Sequence, residues 1–77
     1  MTRCFLAELY DPDARHDPRL IRTASNDASA RCIRVINVPG DEACFLVYEA
    51  QSAEAVWLAG TAAGLRFTRV VPAEIVV

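Results

Sequence analysis

Two apolar, β-branched-rich runs separated by Pro39-Gly40-Asp41 constrain this chain most tightly. Residues 30–38 read Ala-Arg-Cys-Ile-Arg-Val-Ile-Asn-Val and residues 43–49 read Ala-Cys-Phe-Leu-Val-Tyr-Glu. Branched and aromatic side chains suit a pleated surface, proline presets the first turn dihedral, and glycine takes conformations other residues avoid. The pattern predicts an antiparallel hairpin.

The flanking segments extend that hairpin into a six-element order. Residues 3–10, Arg-Cys-Phe-Leu-Ala-Glu-Leu-Tyr, contain no glycine or proline and read as a strand buried on both faces. A polar loop from Asp11 to His16 follows, then Asp17-Pro18, where aspartate can cap a helix and proline fits its first turn. Leu20, Ile21, Ala24 and Ala28 then form one apolar stripe on a helix of about three turns. Thr23, Ser25, Asn26, Asp27 and Ser29 are indifferent helix formers, so an early end near Asn26 is compatible with the sequence.

A second helix begins after Ser52 as N-cap, with Glu54 in its first turn, and runs to Ala63, where Gly64 ends it. The last stretch, 65–77, carries Phe67, Val70, Val71 and Ile75, with Pro72 marking an edge strand or a bulge. Strand, helix, strand, strand, helix, strand is the split βαβ order. The expected fold is α+β and ferredoxin-like, a four-stranded antiparallel sheet with two helices on one face and the first and third strands central. Both central strands are apolar on both faces, so the side without helices predicts an interface and, with it, a homodimer or larger homo-oligomer. The second helix has an inward stripe of Val56, Ala59 and Ala63, while Trp57, Leu58, Gly60, Thr61 and Ala62 carry no charge. That uncharged face, with a glycine permitting close approach, reads either as a partner-binding surface or as Trp57 lying over the sheet edge.

Composition removes several classes of function. Seventy-seven residues make a single domain, 1–77, and 53% of them are hydrophobic, a high share for so little interior. Eight basic residues against ten acidic ones, with the arginines spread from Arg3 to Arg69, argue against nucleic-acid binding. All eight basic residues are arginine, so Schiff-base and P-loop lysine chemistry is excluded. Cys4, Cys32 and Cys44 have neither CxxC spacing nor an even count and read as buried reduced thiols. No membrane-length apolar run or signal-like segment is visible, so the expectation is a cytoplasmic protein without a membrane partner.

The segment from Pro39-Gly-Asp-Glu-Ala-Cys-Phe-Leu-Val-Tyr-Glu to Val56, continuing through Ala63-Gly64-Leu65-Arg66-Phe67 and Val70-Val71-Pro72, resembles a family of small bacterial domains of unknown function that includes a nickel-responsive, nickel-binding protein. Glu8 in the first strand also fits, whereas Leu9 stands where the family often has a basic residue. The resemblance implies a ferredoxin-like fold pairing into a dimeric α+β barrel and raises nickel as a cofactor. Its metal-binding subgroup carries several histidines after the first strand, and this chain has only His16.

Candidate sites follow from the remaining polar groups. His16 with Asp13, helped by Asp11 or Asp17, is the candidate metal set, and nickel prefers several nitrogen or oxygen ligands. Glu8, Arg34, Tyr48 and Glu49 are the candidate ligand-binding residues of a barrel interior lined mainly by apolar groups. Glu8 and Glu49, read near the ends of adjacent parallel strands, would raise each other's pKa if close and buried, as a general acid or base requires. Arg34, placed on one strand face with Cys32, Ile36 and Val38, would need a carboxylate such as Glu8 or Glu49. No catalytic triad, glycine-rich phosphate loop or nucleotide fingerprint is present, so no catalytic residue is assigned. The leading expectation is a dimeric protein binding a small ligand or metal. The alternatives are a cofactor-free isomerase or monooxygenase-like enzyme, by analogy of fold, and an interaction module docking through Trp57.

Overall fold

The computed structural model describes residues 3–10, 17–24 and 26–76. Strand β1 spans Arg3–Tyr10, helix α1 Pro18–Ala24, β2 Ala30–Val38, β3 Ala43–Ala50, helix α2 Ala53–Ala62 and β4 Phe67–Ala73. The four strands form one sheet in the order β2-β3-β1-β4, and every neighbouring pair is antiparallel. The fold is therefore α+β, with an open antiparallel sheet and two helices, and is compatible with a ferredoxin-like arrangement. As expected, β1 and β3 occupy the centre and the proline-bearing β4 lies at an edge, where Pro72 costs no interior ladder donor.

Alternation across the central strands sorts side chains onto two faces. Phe5, Ala7 and Leu9 of β1 and Cys44, Leu46 and Tyr48 of β3 are buried together with Ile21 of α1 and Val56 and Ala59 of α2. Both helices thus contribute to the core on the same side of the sheet. Each large aliphatic or aromatic residue so buried contributes roughly 1.5–3 kcal/mol, and α2, which touches all four strands, is the main cover.

Helix α1 is shorter than the apolar stripe suggests. Asp17 starts it: its Oδ1 accepts the Arg19 N–H at 2.9 Å, and its carbonyl accepts Leu20 N–H at 2.9 Å. The side chain of Arg19 also donates to the Asp17 carboxylate and, with the backbone bond, holds its pKa below the ordinary value. At the other end the side chains compete with the helix. Asn26 Oδ1 accepts Cys32 N–H at 2.5 Å, and Asp27 Oδ1 accepts Ser29 and Ala30 N–H at 2.7 and 3.1 Å. Ala28 consequently lies outside the helix, in the bend that leads into β2.

Helix α2 follows its sequence signals closely. Ser52 Oγ accepts the Ala55 N–H at 3.2 Å. At the far end Leu65 N–H reaches the Gly60 carbonyl at 2.8 Å and Gly64 takes φ +76°, the left-handed closure that glycine permits. Inside the helix, Gly60 has an intrachain reason. A Cβ built there would lie 2.3 Å from the Phe67 ring, so glycine is what lets β4 close onto α2. The same Phe67 meets Tyr48 edge-on at 6.1 Å between ring centroids and the tilted Trp57 at 6.3 Å.

The beginning of β2 and the end of β1 depart from simple alternation. Ladder register shifts between Cys32 and Arg34, leaving Ile33 as an extra residue, and again opposite Glu8 and Leu9, where Thr68 is the extra residue of β4. Across the hairpin, Pro39–Asp41 form a single 3₁₀ turn and Glu42 takes φ 54° before β3 begins.

Gly60→Ala is expected to destabilise the fold by about 1–3 kcal/mol despite the better helix propensity of alanine, because overpacking against the ring outweighs it. Urea unfolding measures this, and in a Phe67→Leu background the penalty should shrink; a stabilised Gly60→Ala variant would contradict the contact.

Candidate functional site: the open face of the sheet

The face of the sheet opposite the helices carries the second set of alternating side chains. From β1 come Cys4, Leu6, Glu8 and Tyr10; from β3, directly opposite, Glu49, Val47, Phe45 and Ala43. From β4 come Val71 opposite Leu6 and Arg69 opposite Glu8, and from β2 come Arg31, Arg34, Ile36 and Val38. Leu6, Phe45, Val47, Ile36 and Val71 make an apolar centre. Ile36 is 48% exposed and the others shield one another in part.

The two glutamates on this face are neutralised locally. Arg69 Nε donates to Glu8 Oε2 at 3.4 Å, and Thr68 Oγ1 donates both to the Glu8 carbonyl at 3.1 Å and to its Oε1 at 3.3 Å. The extra residue of the β4 bulge is thus what brings a hydroxyl to Glu8. At the opposite corner Arg31 pairs with Glu49 across the β2–β3 ladder. Beside that pair lies a groove of about 620 Å³, lined among others by Asp27, Ser29, Gln51 and Ser52. Tyr10 donates to Glu42 Oε2 at 3.0 Å on the third side.

Three sequence expectations change. Glu8 and Glu49 do not lie on parallel strands. β1 and β3 are antiparallel, Glu8 faces Phe45, and Glu49 faces Cys4. Four ladder rows, roughly 13 Å at the rise of an antiparallel strand, separate them, so neither supplies the repulsion that a coupled acid–base pair needs. Tyr48 is fully buried on the helix side beneath Phe67 and does not share a face with Glu49, its neighbour in the strand. Arg34 does lie with Ile36 and Val38, but Cys32 has crossed to the core because Ile33 is bulged. Arg34 forms no ion pair with a described residue, and neither Glu8 nor Glu49 is its partner.

The candidate metal residues His16 and Asp13, with Asp11, lie outside the described residues, while Asp17 is engaged by Arg19. Among the described residues no group of three or more His, Cys, Asp or Glu side chains is assembled. The three cysteines form no disulfide; Cys32 and Cys44 are buried under the helices and Cys4 is half-buried on the open face. Among the described residues no helix is long and apolar enough to cross a membrane. Neither a family model, nor a curated protein, nor a solved structure matches the chain.

The two ion pairs are well exposed, with side-chain exposures of 70% and 35% for Arg31 and Glu49 and 60% and 31% for Arg69 and Glu8. Each is expected to contribute only about 0.2–1 kcal/mol to stability. Double-mutant cycles through Arg31→Gln/Glu49→Gln and Glu8→Gln/Arg69→Gln should return couplings in that range; several kcal/mol would show that the carboxylates are structural anchors.

Proposed function

We propose that the chain is one half of a dimeric, ferredoxin-like α+β barrel, in which two copies pack open face against open face and hold a small ligand between the sheets. The observation that carries this reading is the open face itself, an apolar centre on two central strands flanked by carboxylates that are already paired within the chain. An uncovered apolar sheet face is unfavourable in water. A second copy fits this one because Glu8–Arg69 and Glu49–Arg31 each sum to zero charge, so the glutamates of identical faces meet without mutual repulsion, and Arg34 is left as the unpaired charge at the β2 edge of the face. The strand order β2-β3-β1-β4, with helices on one side only, supports the ferredoxin-like assignment and leaves the other side for pairing.

Within such a barrel Glu8 and Glu49 stand at opposite ends of the apolar centre, with Arg34 toward the β2 edge. A ligand suited to this lining has an apolar body and polar ends, engaging the carboxylates through donors. Binding, with no covalent chemistry, is the activity these groups support. Nickel, raised by the family resemblance, would draw on His16 and Asp13, and its retention is read in the same experiment as the ligand.

Native mass spectrometry of the freshly purified protein, with and without added nickel, is expected to show a dimer and any retained mass. Leu6→Glu places an uncompensated charge at the centre of the open face and should yield a monomer with an unchanged far-ultraviolet circular dichroism spectrum, since Leu6 lies away from the helices. A wild-type monomer, or a Leu6→Glu variant that remains dimeric, would contradict the pairing.

A further inference from the structure

The charge pattern elsewhere is less balanced. The chain carries ten acidic and eight basic residues, yet one surface gathers four arginines. Between α1 and the edge strand β2, one groove of about 600 Å³ is lined by Arg19, Arg22, Ile33, Arg34 and Val35. A second, of about 530 Å³, adds Thr23, Asn26 and Arg31 and shares Arg19, Arg22 and Ile33 with the first. Four of the eight arginines therefore border one continuous depression, and among the described residues no carboxylate lines it.

The four are not equivalent. Arg19 is held by Asp17 and Arg31 by Glu49, whereas Arg22 and Arg34 have no ion pair among the described residues. Like charges left side by side are unfavourable unless a counter-charge reaches them. A guanidinium with no ion-pair partner keeps its donors open to an anion from solution.

We propose that the α1–β2 groove binds the phosphoryl group of a small molecule, with Arg22 and Arg34 as the principal donors. Guanidinium presents a planar fork of N–H donors that matches phosphate oxygens, and a phosphoryl group offers several oxygens to donors converging from different elements. A lone carboxylate satisfies one such fork. The groove is also short, bounded by a seven-residue helix and the bulged start of β2, which suits a compact anion better than an extended acidic chain. Neutral donors complete the setting: Thr23 contributes a hydroxyl, and Asn26, whose Oδ1 is taken by Cys32 N–H, keeps Nδ2 as its donor. The site belongs to a single chain, and of its two principal donors Arg34 also borders the open face. Arg22 on α1 takes no part in pairing of the open faces, so its variant separates the two readings.

Inorganic pyrophosphate, titrated into the full chain by calorimetry at low salt, is expected to bind saturably at one site per chain. Arg22→Gln and Arg34→Gln should each weaken it by about tenfold or more, the loss of one charge-assisted donor pair, while Arg66→Gln, an exposed arginine elsewhere on the surface, should leave it unchanged. Circular dichroism establishes that the variants are folded. Non-saturable binding, equal losses at all three positions, or no loss at Arg22 would overturn the proposal and leave these arginines as charges that protect an exposed edge strand from pairing. Tighter binding of hexaglutamate than of pyrophosphate would also overturn it, in favour of an acidic peptide laid along β2.

Discussion

The pairing of β1 with β3 is the constraint on which the rest of this structure depends. Both strands are central, both are apolar along nearly their whole length, and eight consecutive residue pairs from Arg3–Ala50 to Tyr10–Ala43 hold them in one register. Because side chains alternate strictly, that register decides everything about the two faces. It sends Phe5, Ala7, Leu9, Leu46 and Tyr48 under the helices and Cys4, Leu6, Glu8, Phe45, Val47 and Glu49 to the other side. A slip of either strand by one residue would turn its set to the opposite face and place Glu8 or Glu49 in the core.

From this division the two halves of the molecule acquire different characters. The helix side is a closed core, sealed by Phe67, which fills the space left by Gly60 and meets Tyr48 and Trp57. The open side keeps an apolar centre and pairs both of its glutamates within the chain. From sequence the uncharged α2 surface around Gly60 suits either an outside partner or Trp57 lying over the sheet edge; the contact with Phe67 gives the glycine an internal role. Trp57, at 39% exposure, rests partly on the same ring, close to the edge-lying placement that was one of the two readings of that surface.

Most elements were legible because their signals are local. The hairpin around Pro39-Gly40-Asp41, the Ser52 and Gly64 caps of α2 and the edge position of the Pro72 strand each follow from a few adjacent residues. What escaped depends on pairing between distant segments. Ile33 looks like any strand residue, yet its bulge moves Cys32 to the core while Arg34 stays with Ile36. Thr68 gives no hint in sequence that it will reach Glu8. Tyr48 and Glu49 could not both line one cavity, since neighbours in a strand face opposite ways, and the parallel placement of Glu8 and Glu49 conflicts with an antiparallel sheet. The site residues were less legible than the fold because their roles turn on register and not on residue type.

The central claim is that a second copy covers the open face, and Cys4 reports on that face alone, since Cys32 and Cys44 are buried beneath the helices. Alkylation of native protein with iodoacetamide, followed by intact mass over a range of protein concentrations, measures the cover directly. A paired face predicts that Cys4 is protected at high concentration and becomes reactive on dilution, with Cys32 and Cys44 unreactive throughout. Labelling of Cys4 at one rate across all concentrations would show that the face stays open to solvent and would contradict the account.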